Sequence, residues 1–350
     1  MTHEIYKQEH NDSISKIFYD AIAASWKDFV TEYGEGFRSV RTRHAPTSTA
    51  VFGMCSDGIG TKVEVAELMN YFNHLGHDLV AMVCDDASAM GAIPFMMTTT
   101  LDFGTMHEDI PYDKIKSLAS GLVHGAHVAN VPVVAGESGQ MGSRISGYGK
   151  LPILWNAALT YWAEPKNIVT GDDMKVGDFI VGIPEPYCRS NGYTLIRKIA
   201  EEHSGSMWVN KPCPGTESNY GTMAIHPSKI YTRHIQHLLR ARPLISGMIH
   251  VTGGGLRGRL KSYLNFYGLG ATIDNAYPAC PLFQGLIESG LVGIKTAYET
   301  WCMGNGFLIV TPDPGMVISI LQEDNCESRI IGQITEDPTI RISSNLTLEW

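Results

Sequence analysis

An apolar run ending at Cys55 leads straight into Ser56-Asp57-Gly58-Ile59-Gly60-Thr61-Lys62, and a helix-like stretch begins near Val63. Strand, glycine-rich turn and helix in immediate succession read as a β–α corner, so this segment limits the chain to a mixed fold. The same residues are the parts of an anion site with a metal handle. Glycine lets backbone N–H groups approach phosphate oxygens with no Cβ in the way. The start of the following helix adds partial positive charge. Asp57 offers Mg²⁺ a hard carboxylate oxygen, and Lys62 brings a cation to phosphates. The spacing departs from the Walker pattern, which excludes an ordinary P-loop. A plain strand–turn–helix corner uses the same residues.

Composition narrows the partners. At 350 residues the chain exceeds what one core usually serves, so two domains are expected. Apolar content of 44% with 18% charged residues is that of an ordinary well-packed globular protein. A net charge of −9 argues against a nucleic-acid binder, and equally against an anionic membrane surface as partner. No run of apolar residues is long enough for a transmembrane helix, and Met1-Thr2-His3-Glu4 lacks the features of a signal peptide. The seven cysteines are scattered and never form a C-x-x-C pair, which fits a reducing, cytoplasmic setting better than disulfides or zinc.

Apolar spacing predicts a helix over 14–33 and strands over 51–55, 95–101, 131–135 and 153–162, with helices over 78–92 and 114–129. In the second helix Gly121 and Gly125 are close-packing points. Texture changes at Glu164-Pro165-Lys166-Asn167 and Thr170-Gly171-Asp172-Asp173, placing the boundary at 165–172 and the domains at 1–168 and 169–350. Beyond it come a strand at 179–183, a helix at 194–202, an irregular loop over 203–224, and a helix at 230–240. A strand at 248–251 ends on Thr252-Gly253-Gly254-Gly255. A strand at 270–274, helices at 281–288 and 297–302 and a strand at 307–310 follow. Strands mixed with helices in both halves mean two α/β or α+β domains.

Four further constellations carry candidate chemistry. Asp85-Asp86 sits in an otherwise apolar helix, where paired carboxylates are costly to bury without a cation. Glu137 follows an apolar strand, and its surroundings miss the G-x-S-x-G elbow because Gln140 stands where glycine is needed, which discounts a hydrolase. Arg189-Ser190-Asn191-Gly192-Tyr193 offers a helix start and an arginine to an anion, although helix capping alone would use the same residues. Gly253-Gly254-Gly255-Leu256-Arg257-Gly258 satisfies G-x-G-x-x-G, with Asp274 about twenty residues on, which opens an NAD-dependent oxidoreductase as a competing class. Against it, Gly268 and Gly270 leave little room for a following helix. Three H-x-x-H pairs (74/77, 124/127, 234/237) read as surface or interface histidines, because no third ligand recurs near them.

In order, Asp57-Gly-Ile-Gly-Thr-Lys62, Asp78-Leu-Val-Ala-Met82 with Asp86 and Gly91-Ala92-x-Pro94, Gly136-Glu137, Ser190-Asn-Gly-Tyr193 and His250-Val-Thr-Gly-Gly-Gly255 closely resemble the aminoimidazole ribonucleotide (AIR) synthase family, the phosphoribosylformylglycinamidine cyclo-ligases of purine biosynthesis. Tyr6-Lys7 with Asp12, His226-Pro-Ser-Lys-Ile-Tyr231 and Met303-Gly-Asn-Gly306 extend the likeness over nearly the whole chain. The resemblance implies an N-terminal α/β domain whose strands join a second subunit's in a dimeric β-barrel, with a C-terminal α/β domain beside it and ATP in the cleft. It implies Lys7, Asp57, Gly58, Gly60, Thr61, Lys62 and Asp86 for ATP phosphates, and Asp57, Asp86 and Glu137 for magnesium. Ser190, Asn191, Thr252, Gly253, Gly254 and Gly255 would take the substrate phosphate. Lys62, Glu137 and Arg189 are the catalytic candidates. The cofactors implied are ATP and Mg²⁺, the partner a small ribonucleotide, the assembly a homodimer.

The chain also departs from the family. Arg189 stands where histidine usually precedes Ser-Asn-Gly-Tyr, Gln140 replaces a second glutamate, Thr98-Thr99-Thr100 replaces Leu-Asp-Tyr, and Leu154-Trp-Asn-Ala157 replaces Asp-x-Ala-Gly. Arginine clamps phosphate but is no general base near neutral pH.

Overall fold

The computed structural model describes residues 13–14, 16–18, 20–22, 30–33, 37–40, 48–105, 111–343 and 347–349. The chain divides into two compact units, one of residues 1–87 and 92–166, the other of 88–91 and 167–350. Among the described residues thirteen strands run in chain order. They are β1 (Val30–Tyr33), β2 (Phe37–Val40), β3 (Val51–Gly58), β4 (Ile93–Gly104), β5 (Val133–Gly142), β6 (Ile153–Ala163), β7 (Phe179–Pro184), β8 (Gly247–His250), β9 (Gly270–Ile273), β10 (Asn305–Thr311), β11 (Arg329–Thr335), β12 (Ile340–Ser343) and β13 (Thr347–Glu349).

In the first unit four strands form a sheet in the order β3-β6-β4-β5, with β4 and β5 parallel and the other pairs antiparallel. Side chains alternate faces along each strand. On β3, Gly53, Cys55 and Asp57 point to the side of helix Leu75–Ala89, where the Cys55 thiol donates to Val83 O at 3.5 Å. The other face is open: Phe52 and Met54 on β3 are 58% and 71% exposed, and Leu154 on β6 is 49% exposed. Helices Leu75–Ala89 and Tyr112–Ala129 meet through glycine. A Cβ on Gly76 would lie 2.2 Å from Leu122 N, and one on Gly125 would lie 2.8 Å from His77 Cα. Gly121 presses on Asn73 in the same seam, so the glycines singled out in the sequence do mark the close approach.

The helix expected over 14–33 is only partly found. The described residues among 13–22 are helical, but Val30–Tyr33 is a strand paired antiparallel with Phe37–Val40; Trp26 lies outside the described residues. Both edge strands of this sheet run further than expected. β3 continues through Ser56-Asp57-Gly58, and β5 continues through Gly136–Gly142, because each is hydrogen-bonded to its neighbour past the glycines. Among the described residues these four strands do not close into a barrel.

In the second unit seven strands are ordered β13-β12-β9-β11-β7-β10-β8, all antiparallel except β12 on β9. All seven residues of β10 are buried, so the sheet is covered on both faces there. On one face Val181, Ile183, Phe307 and Ile309 pack on helices Thr232–Ala241 and Pro314–Glu323 through Ile235, Leu238, Val317 and Leu321. Each such side chain, taken fully out of water, contributes roughly 1.5–3 kcal/mol. The loop expected over 203–224 contains a 3₁₀ turn, Trp208–Asn210, and a short helix, Tyr220–Ala224, capped by Asn219 accepting from Thr222 N at 2.7 Å.

Candidate functional site

The β3 corner is tighter than its sequence suggests. The turn proper is Ile59–Thr61, with Gly60 at φ 67°, and helix Lys62–Met69 follows at once. Gly58 N–H donates to the Asp57 carboxylate at 2.7 Å and Ile59 N–H to Trp155 O at 3.2 Å. These two amides are therefore committed inside the corner, which corrects the expectation that Gly58 presents its N–H to phosphate. Lys62 is corrected more sharply. Its ammonium lies 2.7 Å from Asp78, and both side chains are 0% exposed. Lys62 ties the corner to the first turn of helix Leu75–Ala89 rather than reaching outward, because a buried ammonium needs a partner charge.

Asp57 and Asp86 both act on Cys55. Burial pushes the Cys55 thiol up to about 12, and the negative charges of Asp86 and then Asp57 add to the rise. Asp85 is buried beside Cys84, whose thiol is likewise raised by burial first and Asp85 second. The donor set at Asp57 and Asp86 fits Mg²⁺, which takes one or two protein carboxylates and completes its shell with water and phosphate oxygens.

Glu137 does not join them. Strand register runs Glu137–Thr100–Asn156–Gly58, which sets Glu137 on the opposite edge strand of the sheet from Asp57. It is therefore three strands away, about 14 Å at the usual spacing. Among the described residues no three His, Cys, Asp or Glu side chains gather as a metal cluster. The expected Asp57–Asp86–Glu137 triad is therefore not assembled within one chain. Glu137 instead lines a cavity of about 360 Å³ with Lys16, Phe18, Thr99, Ser138 and Trp155. Lys7 lies outside the described residues. The histidine pairs make contacts of their own: His77 stacks on His124 at 5.2 Å, and His234 pairs with Asp324 at 2.6 Å.

In the second unit the two loops singled out as a phosphate site meet. A Cβ on Gly253 would lie 3.9 Å from Asn191 Nδ2, and Ser190 Oγ stands 3.5 Å from Ser228 Oγ. Gly254 and Gly255 take φ of 89° and 64°, a left-handed pair that starts helix Gly255–Asn265. Gly255 N–H bonds to Thr252 O and Leu256 N–H to Trp301 O. Among the described residues the N–H groups of Gly253 and Gly254 meet no acceptor. Arg259, one turn into the helix, donates to Thr252 Oγ1, and the buried Asn191 Oδ1 has no hydrogen-bond partner. Two amides, an arginine and an orphaned amide oxygen lie together here, a donor and acceptor set (hereafter the recess) that would suit a phosphate ester with hydroxyls attached.

Arg189 is not at the surface of this recess. It is 1% exposed, at φ 56°, with its guanidinium donating to Glu185 Oε2 at 2.8 Å and to Lys229 O at 3.0 Å and contacting His250 Nε2 at 2.5 Å. This corrects its expected catalytic role. Sequence reading missed Glu185, Arg259 and the contact between Arg189 and His250; the spacing of Arg259, four residues after Gly255 on a helix, was the available signal.

The dinucleotide alternative fails on topology. Helix Gly255–Asn265 has eleven residues, longer than the glycines at 268 and 270 led one to expect. It nevertheless connects β8 to β9, which are separated in the sheet by β10, β7 and β11 and are not a parallel pair. A dinucleotide fold needs adjacent parallel strands there.

Residues 45–155 match the family "AIR synthase related protein, N-terminal domain", and residues 175–345 match "AIR synthase related protein, C-terminal domain". The chain belongs to the AIR synthase-related family. A phosphoribosylformylglycinamidine cyclo-ligase of Methanobrevibacter smithii is 28% identical, covering 91% of this chain and 89% of the relative. The one from Methanocaldococcus jannaschii is 31% identical, covering 81% and 78%. Among solved structures, the hydrogenase maturation protein HypE in complex with ATP matches with TM-score 0.63 at 13% identity, covering 99% and 94%. That last likeness concerns the fold alone. No described helix is long and apolar enough to cross a membrane.

Proposed function

We propose that this chain is an ATP-dependent cyclo-ligase that closes formylglycinamidine ribonucleotide to aminoimidazole ribonucleotide, releasing ADP and phosphate. The observation that carries the reading is the meeting of Ser190-Asn191 with Thr252–Gly255, loops distant in sequence that together make a phosphate-ester recess in a family whose relatives are named for this reaction. ATP use is supported by those relatives and by the ATP-bound structural neighbour.

The chemistry suits the parts. The amide oxygen attacks the γ-phosphorus, the bond to the bridging oxygen of ADP breaks, and a poor leaving group becomes phosphate. The amidine nitrogen then adds to that carbon and closes the ring, phosphate departs, and a proton is lost. Such a reaction asks the protein chiefly for positioning and charge stabilisation. Asp57 and Asp86 would hold Mg²⁺, which supplies positive charge to the transferring phosphoryl group. Thr61 and Gly60 shape the turn beside them, and Lys62 keeps that turn rigid through Asp78. Gly253, Gly254, Asn191 and Arg259 would hold the ribose 5′-phosphate end.

The open face of the β3-β6-β4-β5 sheet, with Phe52 and Met54 in water, fits a second copy of the chain and supports the dimeric barrel. The protein would act in the cytoplasm, where its purine precursors are. The test is phosphate release from ATP with formylglycinamidine ribonucleotide added, together with appearance of the aminoimidazole product. A related reading has the same ATP chemistry serving another amide or carboxyl substrate, and the buried Arg189 in place of histidine favours keeping it. Phosphate release with other amides but not this one would select it.

A further inference from the structure

Arg189 sits where three segments of the second unit converge. Its guanidinium donates to the Glu185 carboxylate following β7, to Lys229 O before helix Thr232–Ala241, and contacts His250 Nε2 at the end of β8. It also lies over the Tyr231 ring, 5.1 Å from the centroid, and the Tyr231 hydroxyl donates to the same Glu185 oxygen at 3.2 Å. All of these side chains are buried except that of Lys229, whose ammonium reaches the Tyr231 ring at 5.7 Å. Burial pushes the Glu185 carboxyl above its ordinary value, with the Arg189 charge pulling the other way. A guanidinium keeps its protons at any ordinary pH, so a ring nitrogen in contact with it must be the acceptor. His250 is thereby set as the neutral imidazole with its proton on Nδ1.

We propose that Arg189 is a positioning residue for the phosphate recess: by holding His250 in that one tautomer against Glu185 and Lys229 O, it locks the strand end that launches Thr252–Gly255 to the loop that carries Ser190 and Asn191. The connection is short. Arg189 precedes Ser190 directly, and Val251, which follows His250, is pinned by its N–H to Gly306 O at 2.9 Å. Arg189 itself touches no substrate. Arg189 contacts His250 directly; around Arg189 lie Glu185 and Tyr231, with Lys229 beyond them and the Cys302 thiol within reach of the Glu185 and Arg189 charges, and the Phe307 ring stacks near the imidazole at 6.2 Å. A protonated His250 would put its positive charge in contact with the buried Arg189 guanidinium, which a buried site resists.

The ligand named here rests on the function proposed above, whereas the tie between the loops does not. The test uses the full chain with ¹⁵N-labelled histidine, the His250 resonance being assigned by its loss in His250→Gln. The wild type is expected to show a neutral ring, protonated at Nδ1, from pH 8 down to 5.5. Arg189→Met is expected to free the ring to titrate inside that range. A protonated His250 in the wild type, or an unchanged tautomer and titration in Arg189→Met, overturns the proposal. Kinetics give the second readout. Arg189→Met should raise KM for the ribonucleotide tenfold or more, leaving KM for ATP and kcat within about threefold, and Arg189→Lys should recover part of the loss. Glu185→Gln/Arg189→Met removes the stranded carboxylate and guards against simple misfolding; a wild-type ribonucleotide KM in that double variant also overturns the proposal. If the wild type releases no phosphate with the ribonucleotide, the function reading fails by itself. Binding of ribose 5-phosphate, at least tenfold weaker in Arg189→Met by calorimetric titration, then decides the positioning role together with the spectra.

Discussion

Replacing Lys62 by methionine tests what the β3 corner is for. The Lys62 ammonium and the Asp78 carboxylate are 2.7 Å apart and neither side chain is exposed. Removing one member of such a pair leaves an uncompensated buried charge and costs about 3–5 kcal/mol, whereas replacing both with apolar groups of similar volume is often near neutral. With a urea slope of about 2 kcal/mol per molar, the single variant should lower the unfolding midpoint by roughly 1.5–2.5 M. Lys62→Met/Asp78→Leu should return to within about 1 kcal/mol of the wild type. Urea unfolding followed by far-ultraviolet dichroism gives both numbers, and ATP titration of the double variant completes the experiment. If Lys62 serves the corner, the refolded double variant binds ATP within about threefold of the wild type. A stable single variant, or a stable double variant that has lost ATP binding, would refute the structural role and return Lys62 to the phosphates.

Glycine substitutions separate the folding and binding demands of the second recess. Gly255→Ala should fold poorly, since its Cβ would lie 2.5 Å from Tyr298 O at a φ of 64°, whereas Gly253→Ala should fold normally and lose ribonucleotide binding tenfold or more, its methyl group facing Asn191; equal melting temperatures for the two would contradict this. Glu67 accepts from Tyr148 N and Ile153 N, and burial raises its carboxyl from the ordinary 4.5 to about 7. The folded chain therefore keeps a proton that the unfolded chain releases, and stability should fall by up to about 3 kcal/mol as pH rises from about 4.5 to 7. Glu67→Gln should flatten that slope in urea titrations, and parallel slopes would count against it. Asp57→Asn should raise the Mg²⁺ concentration needed for half-maximal phosphate release at least tenfold, with an unchanged requirement removing it from the metal set. Phe52→Asp should convert a dimer to a monomer in sedimentation velocity, and an unaltered sedimentation coefficient would place the subunit contact elsewhere.

Much of this was legible in the chain. Short-range signals sufficed for the β3 corner, for the Thr252–Gly255 turn, for the helix seam at Gly121 and Gly125, and for the family, because each depends on residues close together or in a collinear order. Elements after 311 went unread. Helix Pro314–Glu323 and strands β11 to β13 are short, and β11 carries a register shift between Ile330 and Gly332 that breaks the alternation on which a strand reading depends. The hairpin of β1 and β2 was hidden in the same way, under apolar spacing that suited a helix.

The amino-acid order by itself determined which residue types could serve an ATP reaction, since carboxylates, glycines and arginines at those spacings are local facts. Only the tertiary structure decided which of them are available. Lys62 is consumed by Asp78, and Arg189 by Glu185 and His250, because buried charges must find partners. Glu137 is carried by strand order to the opposite edge of the sheet from Asp57, and Arg259 is brought to Thr252 by the helix that the glycine turn begins. Register and burial are set by contacts between segments far apart in the chain, and no local pattern records them.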